Sequence, residues 1–483
     1  MPELPLGFAN KQESGLEELA GATVLAANVL IDTKGAVKRR PGIASFSQLV
    51  NASGISAVHE SYGGDLYAVA QGGPERFIYK VTPAGSTVLG GGVSPAGLTG
   101  TLRPTIAETE MLLVLAGGAK LQKVELATGL SDRLGGTPPT ATHVIVNSSR
   151  LVVNDIAEFT SWVRFSGIAQ GLETYAGFEL WQEGLVVDGT SAGHVSAEAK
   201  ADPMVCLAGN TNEVVAFGVD TTQVFSPDPT GVFAPVVALE YGCSAPYSIL
   251  PVDSSFCWLD NLGRIIMSDG RSVTDLSEPI KATLDGIDTV SDCFAFRYIE
   301  GPYDVMVWVF PTDGRAFAFQ KGAGWSEWLG WNEDTNNWGA LPISAHFYSS
   351  LHARNYVGTA TGYVGKLTSE ASTDLGTRIN AQVVTGFLGR GTDAKKHCQC
   401  VRFSLRRGES RTEEPVAFLS WRDDPGPWGQ KIPVSLGLAG ERTIVLEYRS
   451  LGVYRRRQWR FEFSGSEDIT LIGANETFEV LEQ

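Results

Sequence analysis

Apolar, β-branched and aromatic positions in this chain come as pairs of short runs separated by a Gly, Asp or Asn turn. Asp65-Leu66-Tyr67-Ala68-Val69-Ala70 is followed by Gly72-Gly73 and then by Arg76-Phe77-Ile78-Tyr79-Lys80-Val81. The same unit recurs at 111–115 with 121–126, 213–218 with 222–225, 256–259 with 264–267, 305–310 with 315–319 and 355–359 with 363–367. Each predicts a β-hairpin with suitable turn chemistry. First strands begin near positions 65, 111, 150, 213, 256, 304 and 355, at intervals of 46, 39, 63, 43, 48 and 51 residues. Such spacing matches the ~40–50 residues of a four-stranded propeller blade. The long interval holds an insertion at 167–202 that reads as an exposed loop. The pattern predicts a mainly β chain with a β-propeller of six or seven blades over 51–370. A stack of unrelated antiparallel β domains is the competing arrangement.

After Leu367 the loops lengthen. Runs at 379–388, 399–406, 416–421, 443–448, 458–463 and 469–472 predict a C-terminal β-sandwich over 371–483. Residues 1–50 read as an extended segment. The best helical stretch, 11–29, is interrupted by Gly15 and Gly21, and 26–31 reads as a strand.

Composition agrees with many tight turns. Gly and Pro number 55 and 23, more than average usage gives. At 43% hydrophobic the chain has material for a large core, which excludes wholesale disorder. No apolar run reaches the ~18 residues that span a bilayer. Residues 1–8 lack a basic stretch followed by an apolar one, so folding in a cytoplasm is expected.

The net charge of −16 argues against gripping DNA through its phosphates. The charge is uneven. Residues 395–460 hold 14 Lys/Arg against 7 Asp/Glu, a local balance of +7 on an acidic protein. This basic stretch reads either as a contact for a charged partner or as a complement to the acidic remainder.

Motifs for chemistry are sparse. His-Glu-x-x-His and the phosphate-cradling loop are missing. Gly90-Gly91-Gly92 lacks a strand–helix context. Cys206, Cys243, Cys257 and Cys293 sit in apolar runs as buried thiols. His397-Cys398-Gln399-Cys400 has two cysteines on one strand face but no second pair to complete a zinc site. No metal, cofactor or catalytic residue is expected. The histidines stand apart in sequence, although His346 and His352 flank one aromatic region. Asp260, Asp269, Asp275, Asp304 and Asp313 occupy turns, where Asp is a good turn former.

Two stretches stand out as candidate interfaces. Trp325-Ser326-Glu327-Trp328-Leu329-Gly330-Trp331 with Trp338 is the densest aromatic cluster. Exposed, it stacks on sugars or a partner; buried, it seals a boundary between blades. Tyr454-Arg455-Arg456-Arg457-Gln458-Trp459-Arg460 interleaves cations with aromatics. On a strand, Arg455 and Arg457 face one side and Arg456 the other, which suits bridging two protein surfaces. The Ser420-to-Trp428 turn resembles the Asp box of sialidases but has one residue between Gly426 and Trp428.

Taken in order, these segments resemble the tail-nozzle proteins of short-tailed phages, also called packaged-DNA stabilisation proteins. Ala27-Asn28-Val29-Leu30-Ile31-Asp32 leading to Lys38-Arg39-Arg40-Pro41-Gly42 resembles the family's N-terminal signature. Phe256-Cys257-Trp258-Leu259-Asp260 with Gly263 is similar to its Trp-Leu turn, and Gly324-Trp325-Ser326-Glu327-Trp328 to its Gly-Trp-x-Glu-Trp segment. Tyr356-Val357-Gly358 with Thr361-Gly362, the Ser420-to-Trp428 turn and Leu451-Gly452-Val453-Tyr454-Arg455-Arg456-Arg457 follow. The likeness runs over nearly the whole chain. It departs at the altered Asp-rich turn and at 167–202.

The resemblance implies a non-enzymatic virion protein, assembled in the host bacterial cytoplasm and placed in the tail. It implies a homohexameric hub that continues the DNA channel below portal and adaptor ring and carries fibres or tailspikes. DNA passes without sequence-specific binding, and no membrane insertion is expected. Trp325, Trp328, Trp331, Trp338, Arg455, Arg456, Arg457, Arg39 and Arg40 are the candidate interface residues. An acidic channel wall would let DNA slide. The alternative is a propeller-fold phage protein that degrades or binds polysaccharide, which needs two carboxylates facing one cleft.

Overall fold

The computed structural model describes residues 23–32, 35–72, 75–90, 103–169, 175–187, 189–211, 213–228, 232–407, 416–423, 426–436, 442–464 and 469–481. The N-terminal start at 1–8, most of the helical candidate at 11–29, Gly91, Gly92, Asp424 and Pro425 lie outside the described residues.

Seven four-stranded antiparallel blades follow one another among the described residues. Blade 1 runs Ser53–Glu60, Leu66–Gly72, Glu75–Thr82 and Gly85–Val88. Blade 2 runs Thr105–Glu108, Leu112–Ala116, Gln122–Glu125 and Ser131–Arg133. Blade 3 uses Val144–Asn147, Arg150–Asn154, Trp162–Phe165 and Gly193–Ser196. Blade 4 uses Met204–Gly209, Val214–Gly218, Thr222–Pro227 and Phe233–Leu239. Blade 5 uses Leu250–Val252, Ser255–Leu259, Ile265–Ser268 and Val273–Asp275. Blade 6 uses Phe294–Glu300, Tyr303–Phe310, Arg315–Gln320 and Gly324–Glu327.

Blade 7 takes three strands from Ala345–Ser349, Arg354–Gly358 and Tyr363–Thr368. Its fourth comes from the other end of the chain. Gly42–Gln48 pairs antiparallel with Tyr363–Thr368, so the strand that leads into blade 1 also completes blade 7. This closes the ring.

The six hairpins expected from the sequence are the second and third strands of their blades, not the first two. The second strand is buried on both faces in every blade, as in Leu112–Ala116 and Val214–Gly218. Alternate residues serve opposite neighbours. Tyr67 and Val69 pack with Leu113, Leu115 and Val124 of blade 2. Leu66, Ala68 and Ala70 pack with Ala345, Tyr356 and Val364 of blade 7. A strand apolar on both faces reads as an unbroken hydrophobic run.

The 167–202 insertion is not the exposed loop its sequence suggests: it contains the fourth strand of blade 3 and a 3-10 turn at Ala176–Glu179. Phe178 and Trp181 bury against Leu121, Leu134 and Ala141 of the blade 2–3 core. Exposing two aromatic side chains would forfeit several kcal/mol, about 1.5–3 per large apolar side chain.

The C-terminal sandwich has two sheets. One holds Asn380–Thr385, Arg457–Ser464, Val416–Asp423 and Ile432–Ser435. The other holds Ile469–Val480, Lys396–Arg407 and Thr443–Arg449. Phe403 and Phe461 stack between them at 4.8 Å. The N-terminal region joins both. Thr23–Ala27 lies between blade 6 and the first sheet, parallel to Gly324–Glu327 and antiparallel to Asn380–Thr385. A single nine-stranded sheet therefore runs from the inner strand of blade 6 to the edge of the sandwich. The hairpin Val29–Ile31/Val37–Arg39 adds to the second sheet through Ile469–Val480.

Candidate functional site: the axial cavity

The inner strands of the seven blades surround a cavity of about 420 Å³. Every blade contributes to its wall, for example His59, Ile106, His143, Leu207, Ile249, Phe294 and His346. The wall is apolar and aromatic with a few polar groups, the usual make-up of a small-molecule site. It contains no Asp, Glu or Lys.

Arg103 stands just before the inner strand of blade 2 and lines this cavity. Its Nη1 donates to the carbonyl oxygens of Ser56, at 3.2 Å, and Ser344, at 2.6 Å. The guanidinium lies 3.9 Å from the ring centre of Phe294. Burial pulls its pKa down to about 10; Tyr247 opposes this and Arg76 adds to it. At neutral pH it stays charged.

Two imidazoles line the wall in neutral form. His143 Nε2 donates to the Pro246 carbonyl at 3.0 Å, so Nδ1 accepts from the Thr142 hydroxyl at 2.9 Å. Its ring stacks on Tyr247 at 5.2 Å. His346 donates through Nε2 to Asn355 Oδ1 at 3.2 Å and stacks on Phe296 at 4.6 Å. Burial holds both well below the usual value, at about 4. Among the described residues Tyr247 Oη is buried without a hydrogen-bond partner, and burial raises its pKa to about 12. His59 differs: its Nε2 pairs with Glu108 at 2.9 Å.

A second polar cluster joins Ser349, Glu60 and His352. The Ser349 hydroxyl donates to Glu60, and His352 Nδ1 meets both Glu60 oxygens at 3.0 Å. The carboxylate sits in the middle. Activation of a serine needs the imidazole in that place, so this arrangement ties blades 1 and 7 and does not build a nucleophile. His346 and His352 thus serve different places.

The five turn aspartates are occupied locally. Asp260, fully buried, accepts from the amides of Leu262 and Arg264 and from the Arg264 side chain. Asp269 accepts from the amides of Arg271 and Ser272, which lower its pKa. Asp275 accepts from Ser277, Asp304 pairs with Arg297, and Asp313 accepts from the amides of Asp288 and Thr289. Among the described residues no group of three His, Cys, Asp or Glu gathers as a metal site. Cys398 and Cys400 are buried, with a register shift of the ladder between them. Burial pushes the Cys398 thiol up to about 12.

Most of the candidate interface residues lie inside the subunit, which corrects their reading as contact residues. Trp325 and Trp328 are core side chains, 1% and 0% exposed, and Trp325 Nε1 donates to the Leu276 carbonyl. Arg40 is fully enclosed. Its Nε donates to Asn28 Oδ1, its Nη1 to the Pro41 carbonyl, and its Nη2 to the Leu329 carbonyl. A bidentate pair with Asp374, at 3.1 and 2.6 Å, uses the remaining donors. Asn28, at φ 56°, accepts from the Leu329 amide and donates to the Asn380 carbonyl. The N-terminal motif is therefore a knot between blade 6 and the sandwich. Arg39 is also buried.

Arg457 is buried as well, paired with Asp423 and within 4.4 Å of the Tyr454 ring centre. Arg455 is exposed, with Nη1 on the Asp393 carbonyl, and Arg456 is half-buried. Trp331 and Trp338 meet edge to face at 5.4 Å, half-buried, on a hairpin Gly330–Asn332/Asn337–Gly339 that projects after blade 6. The cavity residues were missed in sequence because each blade supplies only two to four of them, scattered from Ser56 to Phe347.

No family model matches the chain, and no curated protein sequence does. Among solved structures it is similar to the extracellular domain of the one-component system BT4673 from B. thetaiotaomicron, at 8% identity and TM-score 0.45 over 74% of this chain and 43% of that chain. The chain thus spans under half the length of that relative. Streptogramin B lyase gives 9% identity and TM-score 0.42 over 68% of this chain and 98% of that one. Kluyveromyces lactis Hsv2 gives 13% and 0.35 over 65% and 96%. The propeller assignment rests on the strand pairing described above.

Proposed function

We propose that this protein is a structural subunit of a ring, of the tail-nozzle kind that its ordered motifs resemble. The observation that carries the reading is the nine-stranded sheet joining blade 6 to the sandwich through Thr23–Ala27. The Asn28–Arg40 motif of the resemblance is what holds that joint. A propeller and a sandwich fused this way act as one stiff block, suited to a wall that transmits force and not to a hinged active site. Six copies pack around a channel through which DNA passes, below an adaptor ring, in a virion tail. The net charge of −16 favours passage over adhesion.

The outer strand of blade 4, Phe233–Leu239, supplies the subunit contact in this reading. It carries no charge, and Ala234, Pro235, Val236 and Ala238 are exposed. An apolar edge strand left in water invites pairing with another chain. The exposed Arg455 and the Trp331/Trp338 hairpin then serve the adaptor and the fibre or spike. The protein catalyses no reaction in this reading.

Native mass spectrometry with negative-stain imaging, alone and with portal–adaptor complexes, tests it. A sixfold ring, lost in Val236→Lys with the monomer still folded, is the expected result. A stable monomer that ignores those complexes sinks the reading, as does a channel lined mainly by Arg and Lys.

A further inference from the structure

Arg103 holds a charge in a cavity wall that offers it no carboxylate. Its only hydrogen bonds run from Nη1, to two backbone carbonyls. Among the described residues its Nε and Nη2 make none. Tyr247, Arg76 and Cys293 are the titratable groups acting on it, and Arg76 repels. The side chain is half-buried, so cavity water reaches the two donors that a ligand would take, and the face of Phe294 supplies part of a counter-charge.

The free edge has a defined shape. Nε–H and Nη2–H point the same way along one side of the planar guanidinium. That fork matches the two oxygens of a carboxylate. Nη1 is pinned on blade 1 through Ser56 and beside blade 7 through Ser344, so the fork is held in place before any ligand arrives. Around it the wall is apolar. Ile106, Ile145, Leu207 and the Tyr247–His143 stack line a space of about 420 Å³, within the ordinary range for small-molecule sites. Both lining imidazoles that donate to fixed acceptors are neutral and bring no second charge.

We propose that the axial cavity binds a small carboxylate with an aromatic or otherwise apolar body, its carboxylate seated on the Nε/Nη2 edge of Arg103. The site takes one negative charge, because the wall offers one cation and no Lys. It stands apart from the ring reading: a monomer can bind the ligand, and a ring can form without it.

Isothermal titration of the full-length protein with benzoate, acetate and inorganic phosphate tests the proposal. Benzoate binds at one per chain, with Kd on the order of 1 mM or tighter. Acetate binds at least about tenfold more weakly, since it leaves the apolar wall wet. Arg103→Gln and Ala208→Leu each weaken benzoate at least about tenfold, the first by removing the fork and the second by filling a wall position. Ala208→Leu leaves Arg103 in place and carries the test if Arg103→Gln does not fold. Three results overturn the proposal: no saturable benzoate binding, benzoate binding undiminished in Ala208→Leu, or binding of phosphate alone.

Discussion

Arg40 is fully buried and Arg103 half-buried in a cavity wall, and the chain treats them in opposite ways. Arg40 sits at the joint between propeller and sandwich with every donor used and Asp374 as its counter-ion. Arg103 sits at the propeller axis with one edge unused and no carboxylate beside it. The joint is a closed network, and such networks hold two units in one geometry. The axis is a space bounded by seven strands and left partly polar. A buried charge that is fully paired marks structure; a half-buried one with an open edge marks a place where something else can bind.

Four perturbations separate the joint from the axis. Arg40→Met strips Asp374 of its partner while leaving the carboxylate enclosed, and costs about 3–5 kcal/mol. Thermal unfolding of purified protein measures it; a loss under about 1 kcal/mol removes the joint from the account.

Acid comes next and acts on the axis. The folded pKa values of His143 and His346 are depressed to about 4 by burial. Unfolded, each takes a proton near pH 6.5. Below that pH the unfolded chain binds protons that the folded chain refuses, so stability present above pH 6.5 is lost as pH falls toward about 4. The loss amounts to about 2–3 kcal/mol for each imidazole by pH 4. His346→Phe flattens this slope in melts recorded from pH 7 to 4. An unchanged slope means that other groups set it.

Asn28 separates backbone from side chain at the joint. Asn28→Ala loses three side-chain bonds and keeps a positive φ, for about 1–3 kcal/mol. Asn28→Gly relieves the strain and recovers roughly 1 kcal/mol of that. Equal melts for the two variants would show that the left-handed backbone is not a factor. Last, Arg103→Gln without ligand changes stability by less than about 1 kcal/mol, because no carboxylate is orphaned. A loss as large as that of Arg40→Met would make Arg103 a second closed network.

Much of the propeller was legible in the chain. Leu66–Gly72, Leu112–Ala116 and Val214–Gly218 announce themselves because both faces are buried, and turn residues bound them. The inner strands were not legible. Thr105–Glu108 and Leu250–Val252 are short and mixed, since one side borders the cavity. The Trp cluster was visible but not its division: Trp325 and Trp328 went to the core, Trp331 and Trp338 to a projecting hairpin. Composition cannot tell these apart, because an indole suits either setting.

The sequence by itself determined the hairpins, their repeat and the strands of the C-terminal region, because apolar period and turn chemistry are local. Tertiary structure alone decided where the N-terminal 23–48 goes. It divides among three sheets, pairing with strands some 300 to 430 residues away. Tertiary structure also made the cavity, from residues too widely spaced to form a motif. Strand pairing at such distance depends on which edges the finished blades leave open, and no local pattern encodes that.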